Sequence, residues 1–235
     1  MIFESYYMGN SVIYAGLQTA FFFLPFLCFI PAILMGILVV WANFAPNEKT
    51  KSIVILGSIA SGKTTLWNRL RGLGYKEEHV QTSEAIIDSF KIQGKEHEVT
   101  IKSTKDFGGG NRWVKYYDEL INEDTFVYYL IDLTRLDEKT CKETRSRLQK
   151  IFKIISENNF NNCGLKILAT HFDEYIRQNK YSKDKVIDIV KEFIGFDNLK
   201  GTEKINFSKA VLAVNLLDNN DISIIKEDIC TLKKQ

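Results

Sequence analysis

Hydrophobic and polar positions divide this chain into two unlike parts. No charged residue stands between Glu4 and Glu48, and the run from Ala20 to Trp41, AFFFLPFLCFIPAILMGILVVW, is apolar almost throughout. About 20 such residues cross a ~30 Å hydrocarbon core as a helix, so the pattern predicts a transmembrane span over residues 20–42. Tyr6, Tyr7 and Tyr14 before it and Trp41 at its end suit the two interfaces. A cleaved leader fits worse, because no basic segment precedes the run and no small-residue cleavage site follows it. A buried core helix fits worse still, since a modest domain would have to wrap it on every face. Pro25 and Pro31 also allow a bent or re-entrant hairpin, but a single kinked span is the preferred reading. Residues 1–19 are then an N-terminal flank and 43–50, with Pro46, a short linker. Lys49 and Lys51 follow the span and no Lys or Arg precedes it, which orients the rest of the chain toward the cytosol.

The remainder, 51–235, alternates short apolar runs with amphipathic ones. Strands are expected at 52–56, 85–92, 98–103, 126–133, 165–169 and 210–216, and helices at 64–70, 113–121, 139–155, 183–193 and 223–233. A turn at 93–96 joins the second and third strands. Such alternation predicts an α/β domain with a mostly parallel six-stranded sheet and helices on both faces. A ligand would bind at the carboxyl ends of the strands.

The first strand runs into Gly57-Ser58-Ile59-Ala60-Ser61-Gly62-Lys63-Thr64, a complete G-x-x-x-x-G-K-[ST] loop followed by Thr65 and a helix. Strand, loop and helix together make this a phosphate-binding loop rather than a chance glycine-rich turn. The glycines admit the turn and bring backbone N–H groups close to phosphate oxygens, with the helix N-terminus adding partial positive charge. Lys63 would reach the β- and γ-phosphates, and the Thr64 hydroxyl would occupy one Mg²⁺ coordination site.

Composition removes several other classes. A formal charge of +2 and a pI near 8.2, with no basic stripe interleaved with aromatics, imply no nucleic-acid partner. Cys28, Cys141, Cys163 and Cys230 form no C-x-x-C pair, which suits reduced thiols in a cytosolic domain. His79, His97 and His171 are too dispersed for a zinc site.

Asp106-Phe107-Gly108-Gly109 is a D-x-x-G sequence at the end of a predicted strand, one helix and one hairpin after the loop. There a carboxylate can hold Mg²⁺ and a glycine N–H can meet a γ-phosphate. On GSIASGKTT and KDFGGG the chain resembles the small GTPases, most closely the Arf-like group and the β-subunit of the signal recognition particle receptor, which also carries an N-terminal transmembrane helix. The resemblance covers about residues 50–235 and implies a G domain binding GTP or GDP with Mg²⁺. It implies metal ligation by Thr64, Asp106 and Thr82, with Ser83 the less favoured choice for the last. It also implies a γ-phosphate contact from Gly109. In the family's N-K-x-D base motif this chain has Thr170-His171-Phe172-Asp173, retaining the aspartate that would select guanine over adenine. His171 would cover the base face in place of lysine, and Asp173 could instead cap the next turn. Ala213-Val214-Asn215 resembles the last base loop.

The catalytic position departs from the family. Where a water-orienting glutamine usually follows the second glycine, this chain has Gly110, with Asn111 adjacent. Lys63, Gly109 and Asn111 are the catalytic candidates, and intrinsic hydrolysis should be slow unless a partner supplies the missing group. Ile59 would restrict that group's approach, and Arg112, Trp113, Tyr116 and Tyr117 either meet an effector or pack beneath the helix. Two functions fit: a membrane-anchored GTPase switch recruiting a cytosolic partner, preferred, and a non-hydrolysing GTP-bound scaffold. A P-loop ATPase or small-molecule kinase fits less well, for want of a phosphate-binding arginine lid.

Overall fold

The computed structural model describes residues 49–75, 83–160, 163–179, 183–199 and 207–232. The span expected at 20–42, its flank and most of the linker lie outside them, as does Thr82. Among the described residues, no helix is long and apolar enough to cross a membrane.

The apolar runs form a six-stranded sheet in the order β3-β4-β1-β6-β7-β8. Its members are β1 (Lys49–Gly57), β3 (Phe90–Gln93), β4 (Glu98–Ile101), β6 (Thr125–Asp132), β7 (Gly164–Thr170) and β8 (Val211–Ala213). Only β3 runs antiparallel to its neighbour. Continuous apolar runs in β1 and β6 bury both faces, as a covered parallel sheet requires. Val54, Leu56, Val127, Tyr129 and Ile131 face one core, shared with Leu148, Ile151 and Phe152 of α3 (Glu138–Glu157) and with Val186 and Val190 of α5 (Lys183–Ile194). The alternate residues Ile53, Ile55, Tyr128 and Leu130 face the other, with Leu66 and Trp67 of α1 (Lys63–Leu70) and Ile222, Ile225 and Ile229 of α7 (Asn219–Thr231). The Asp137 carboxylate caps α3, accepting from Thr140 N at 2.9 Å.

The structure departs from the expected elements in four places. The strand expected at 85–92 is two: β2 (Glu84–Ile87) pairs with β5 (Thr104–Phe107) in a separate ribbon, and only β3 joins the main sheet. Asp88 and Ser89 shift the inward parity from Ile87 to Phe90 and Ile92, and Lys102 and Ser103 break the partner strand likewise. The helix expected at 113–121 is a 3₁₀ turn over Asn111–Tyr116 followed by α2 (Tyr117–Leu120). With three residues per turn, Trp113 and Tyr116 both stack on Phe107, at 5.0 and 5.3 Å between ring centroids. A further helix, α4 (Phe172–Asn179), directly follows β7. The strand expected at 210–216 shrinks to β8 after the short α6 (Phe207–Ala210), because Asn215 Oδ1 accepts from Leu217 N at 2.9 Å and turns the chain.

Lys51 joins the two ends of the domain. Its ammonium donates to the carbonyls of Ile229 (2.7 Å), Cys230 (3.0 Å) and Leu232 (2.7 Å), capping the negative end of α7. This half of the basic pair that follows the uncharged segment is therefore committed to the fold. Lys51→Met should lower unfolding free energy by about 1–3 kcal/mol, since the carbonyls lose a charged donor. Chemical denaturation of both chains checks this, and equal midpoints would contradict it.

Candidate nucleotide-binding site

The loop between β1 and α1 is shaped by contacts on its carbonyl side. Gly57 has φ 148°, and a Cβ there would lie 2.6 Å from the Leu130 carbonyl oxygen. Ala60 (φ 61°) and Gly62 (φ 92°) adopt left-handed backbone, which turns successive N–H groups into a concavity suited to anions. Lys63 folds back over the loop and donates to the Ser58 carbonyl at 2.7 Å, where the Ser61 hydroxyl also donates at 2.9 Å. No side chain caps α1, and its first turn holds no acidic residue, so its N-terminus is available to a phosphate. Burial lowers the Lys63 ammonium to about 8, with Arg147 acting in the same direction and Asp106 opposing both. A bound polyphosphate would favour the charged form and raise it again. Ile59 is 51% exposed at the loop's outer edge.

Thr64 and Asp106 meet beside it. The Thr64 hydroxyl donates to Asp106 Oδ2 at 2.7 Å, while Asp106 Oδ1 is buried without a hydrogen-bond partner. Burial drives this carboxyl above its usual range, against the pull of Thr64 and Lys63. A buried carboxylate oxygen lacking a donor, next to a hydroxyl, fits a hard divalent cation. Thr64 and Asp106 are the residues that would hold Mg²⁺, which neutralises charge on phosphate oxygens when bound.

The D-x-x-G segment and the turn after it, which match the second switch of the family the sequence resembles, lie directly on the loop. A Cβ at Gly109 would overlap the Ser58–Ile59 peptide, so only glycine allows this approach. Gly110 is open, with Trp113 Cδ1 the nearest atom at 4.0 Å from a Cβ placed there. Asn111 accepts a hydrogen bond from Arg147 Nη2 at 2.7 Å, and Arg147 Nη1 donates to the Gly57 carbonyl at 3.2 Å. Arg147 gave no signal in the sequence, because one arginine in a charged amphipathic helix looks like a solvated face.

The base-motif residues gather at the carboxyl end of β7. Thr170 is fully buried, its hydroxyl 3.1 Å from the Ser61 carbonyl and 3.2 Å from that of Ile131. His171 takes φ 56° to turn the chain from β7 into α4, and its Nδ1 lies 3.1 Å from Asp132 Oδ1 at the end of β6. Asp173 stands in the first turn of α4, 49% exposed and 4.0 Å from Arg177. Ala213 pairs in register with Ala169, and Val214 N donates to the Ala169 carbonyl at 2.9 Å, which brings the last loop beside the motif.

A family model described as the ADP-ribosylation factor family matches residues 37–218. The chain belongs to the ADP-ribosylation factor family. Membership implies a guanine-nucleotide-dependent switch of the small GTPase superfamily, with GTP hydrolase activity and Mg²⁺ as the general chemistry of the group. The solved structure of Methanosarcina barkeri Roco2 RocCORdC bound to GDP is similar at 17% identity and a TM-score of 0.49. That likeness covers 77% of this chain, which spans 48% of the Roco2 chain. No curated protein matches the sequence.

The His171–Asp132 contact makes stability depend on pH. Its hydrogen bond to Asp132 raises the His171 imidazole above 6.5, against the effect of burial. Burial pushes the Asp132 carboxyl up, but the hydrogen bonds from His171 and Thr134 together hold it below its ordinary value. A histidine raised on folding contributes stability fully below its unfolded value and loses it as pH rises through the folded one. Urea midpoints from pH 6 to 9 should fall with pH more in the wild type than in His171→Asn, whose amide tolerates the left-handed backbone. Lys63 titrates in both chains, so it cancels in the comparison. Parallel profiles would remove the charge from this contact.

Proposed function

We propose that this protein is a membrane-anchored GTP-binding switch whose ordered second switch recruits a cytosolic partner and whose intrinsic hydrolysis is slow. The observation that carries the reading is the meeting of Lys63, the Thr64–Asp106 pair and Gly109 around one loop, beside an open Gly110 where the family carries its glutamine. Without a side chain at 110, nothing from that position can orient an attacking water, while Lys63, Thr64, Asp106 and Gly109 remain to hold Mg²⁺ and the phosphates. Thr170, His171 and Asp173 support guanine as the base, with Asp173 accepting from its N1–H and amine and His171 covering its face. The uncharged segment before the domain supports a single membrane span with the G domain in the cytosol.

A permanently GTP-loaded scaffold is the second reading, favoured by the same Gly110. Titration of the full chain with GTP, GDP and ATP, followed by single-turnover hydrolysis, separates the possibilities. GTP and GDP should bind more tightly than ATP, and Lys63→Ala should weaken both guanine nucleotides by about 10- to 100-fold. Tighter ATP binding would overturn the guanine assignment. Gly110→Gln, at φ −74° and with room for a side chain, should raise single-turnover hydrolysis at least about tenfold. An unchanged rate would mean that the missing glutamine is not what limits hydrolysis.

A further inference from the structure

Arg147 is buried in the middle of α3, at 2% exposure, and none of the roles above uses it. A guanidinium out of water needs strong partners. Its Nη1 donates to the Gly57 carbonyl at 3.2 Å, where β1 becomes the phosphate loop. Its Nη2 donates to Asn111 Oδ1 at 2.7 Å and lies 3.6 Å from Glu143 Oε2 one helical turn away. One rigid planar fork therefore spans the phosphate loop and the second switch. Asn111 opens the 3₁₀ turn two residues beyond Gly109, whose backbone sits against the Ser58–Ile59 peptide. Asn111 is an exposed residue, and this bond ties its side chain back to the fold.

The geometry points to Arg147 as a positioning residue for GTP: it latches Asn111 to the phosphate loop and so holds Gly109 in its γ-phosphate-sensing place before nucleotide arrives. This rests on the guanine-nucleotide reading above. Ligand affinity falls by the fraction of molecules in the competent arrangement, so a latched loop binds a γ-phosphate without an ordering penalty. GDP lacks the phosphate that Gly109 would meet and so gains nothing from the latch. The latch therefore sets the preference for GTP over GDP and not nucleotide affinity in general. It also accounts for Asn111, whose amide oxygen is taken by Arg147.

Full-length Arg147→Lys, Asn111→Ala and the double variant test this by dissociation constants for GTPγS and GDP. Lysine keeps the charge but cannot reach two acceptors as a fork, so both single variants should weaken GTPγS by about three- to tenfold and GDP by less than about twofold. The double variant should be no weaker than the worse single one, because either change opens the same latch. Equal losses for the two nucleotides, additive effects or no change would overturn the latch. Asn111→Ala lies at an exposed position and keeps the test valid if Arg147→Lys folds poorly. Amide exchange over residues 108–116 of the ligand-free chain gives an answer that needs no nucleotide. It should quicken in both variants within that stretch alone, and unchanged exchange overturns the latch even if the wild type proves to bind no guanine nucleotide. That last result would instead count against the function proposed above.

Discussion

The phosphate loop depends on how its carbonyls are held. Three side chains from three elements take them: Arg147 of α3 at Gly57, Lys63 of α1 at Ser58, and Thr170 of β7 at Ser61. A loop rich in glycine loses more backbone freedom on folding than any other, so it needs such anchors to keep one shape. Holding the carbonyls on one side leaves the left-handed turns at Ala60 and Gly62 free to present N–H groups on the other. Each anchor sits on an element already fixed by the parallel sheet. Thr170 is in register with Asp132 across β6 and β7, and α3 packs its Leu148, Ile151 and Phe152 against the same strands. The core therefore acts on the ligand site through these bonds and not by proximity alone.

The anchors also set the electrostatics of the site. Lys63 and Arg147 are two buried cations near one buried carboxylate, Asp106, and the Lys63 ammonium and the Asp106 carboxyl are both displaced from their solution behaviour in the direction burial dictates. Lys63 is drawn down to about 8 and Asp106 upward. A phosphate chain with its metal ion would correct both displacements at once, the anion stabilising the Lys63 ammonium and the cation the Asp106 carboxylate. Free energy held in desolvated charges is thus returned on binding, and a loop that folds at some electrostatic expense gains affinity for one class of ligand. Replacing Asp106 by an apolar residue would ease the fold and remove that gain.

Much of this was legible in the residues, and the parts that were not share a physical cause. Gly57, Gly62, Lys63 and Thr64 sit at fixed spacing in one short segment, and the apolar runs of β1, β6 and β7 announce buried parallel strands without ambiguity. The break at Asp88 and Ser89 was hidden because Ile86, Ile87, Phe90 and Ile92 look continuous until their inward parity is known. The 3₁₀ turn was hidden because its three-residue repeat comes from stacking on Phe107, a contact that follows from β5. Arg147 was hidden for the strongest reason. Its partners are 90 and 36 residues away in the chain, and no local pattern distinguishes a buried arginine from the exposed ones around it. Thr170 was placed by its motif, but the bond from its hydroxyl to Ser61 crosses 109 residues and appears only in the fold.

A switch must combine a rigid part that grips the nucleotide with a part that changes when one phosphate is lost. The described residues divide the work unevenly. The loop is tied at three carbonyls, while the second switch touches it through the backbone of Gly109 and the Arg147–Asn111 bond. Behind that contact, Phe107, Trp113 and Tyr116 stack together, with Arg112 and Lys115 over the rings of Trp113 and Tyr116. Stacked rings resist gradual bending, because a small displacement sacrifices much of their contact. Motion here is therefore more easily a displacement of the whole 111–116 turn than a distortion within it. A ligand can drive such a displacement only by the difference in its affinity for the two arrangements. The γ-phosphate is the group through which GTP would differ from GDP, and Gly109 N–H is the point on this turn nearest to where it would bind. The mechanical unit would thus be larger than its sensor: Gly109 would report on the phosphate, and the aromatic turn that follows it would carry the change to the surface.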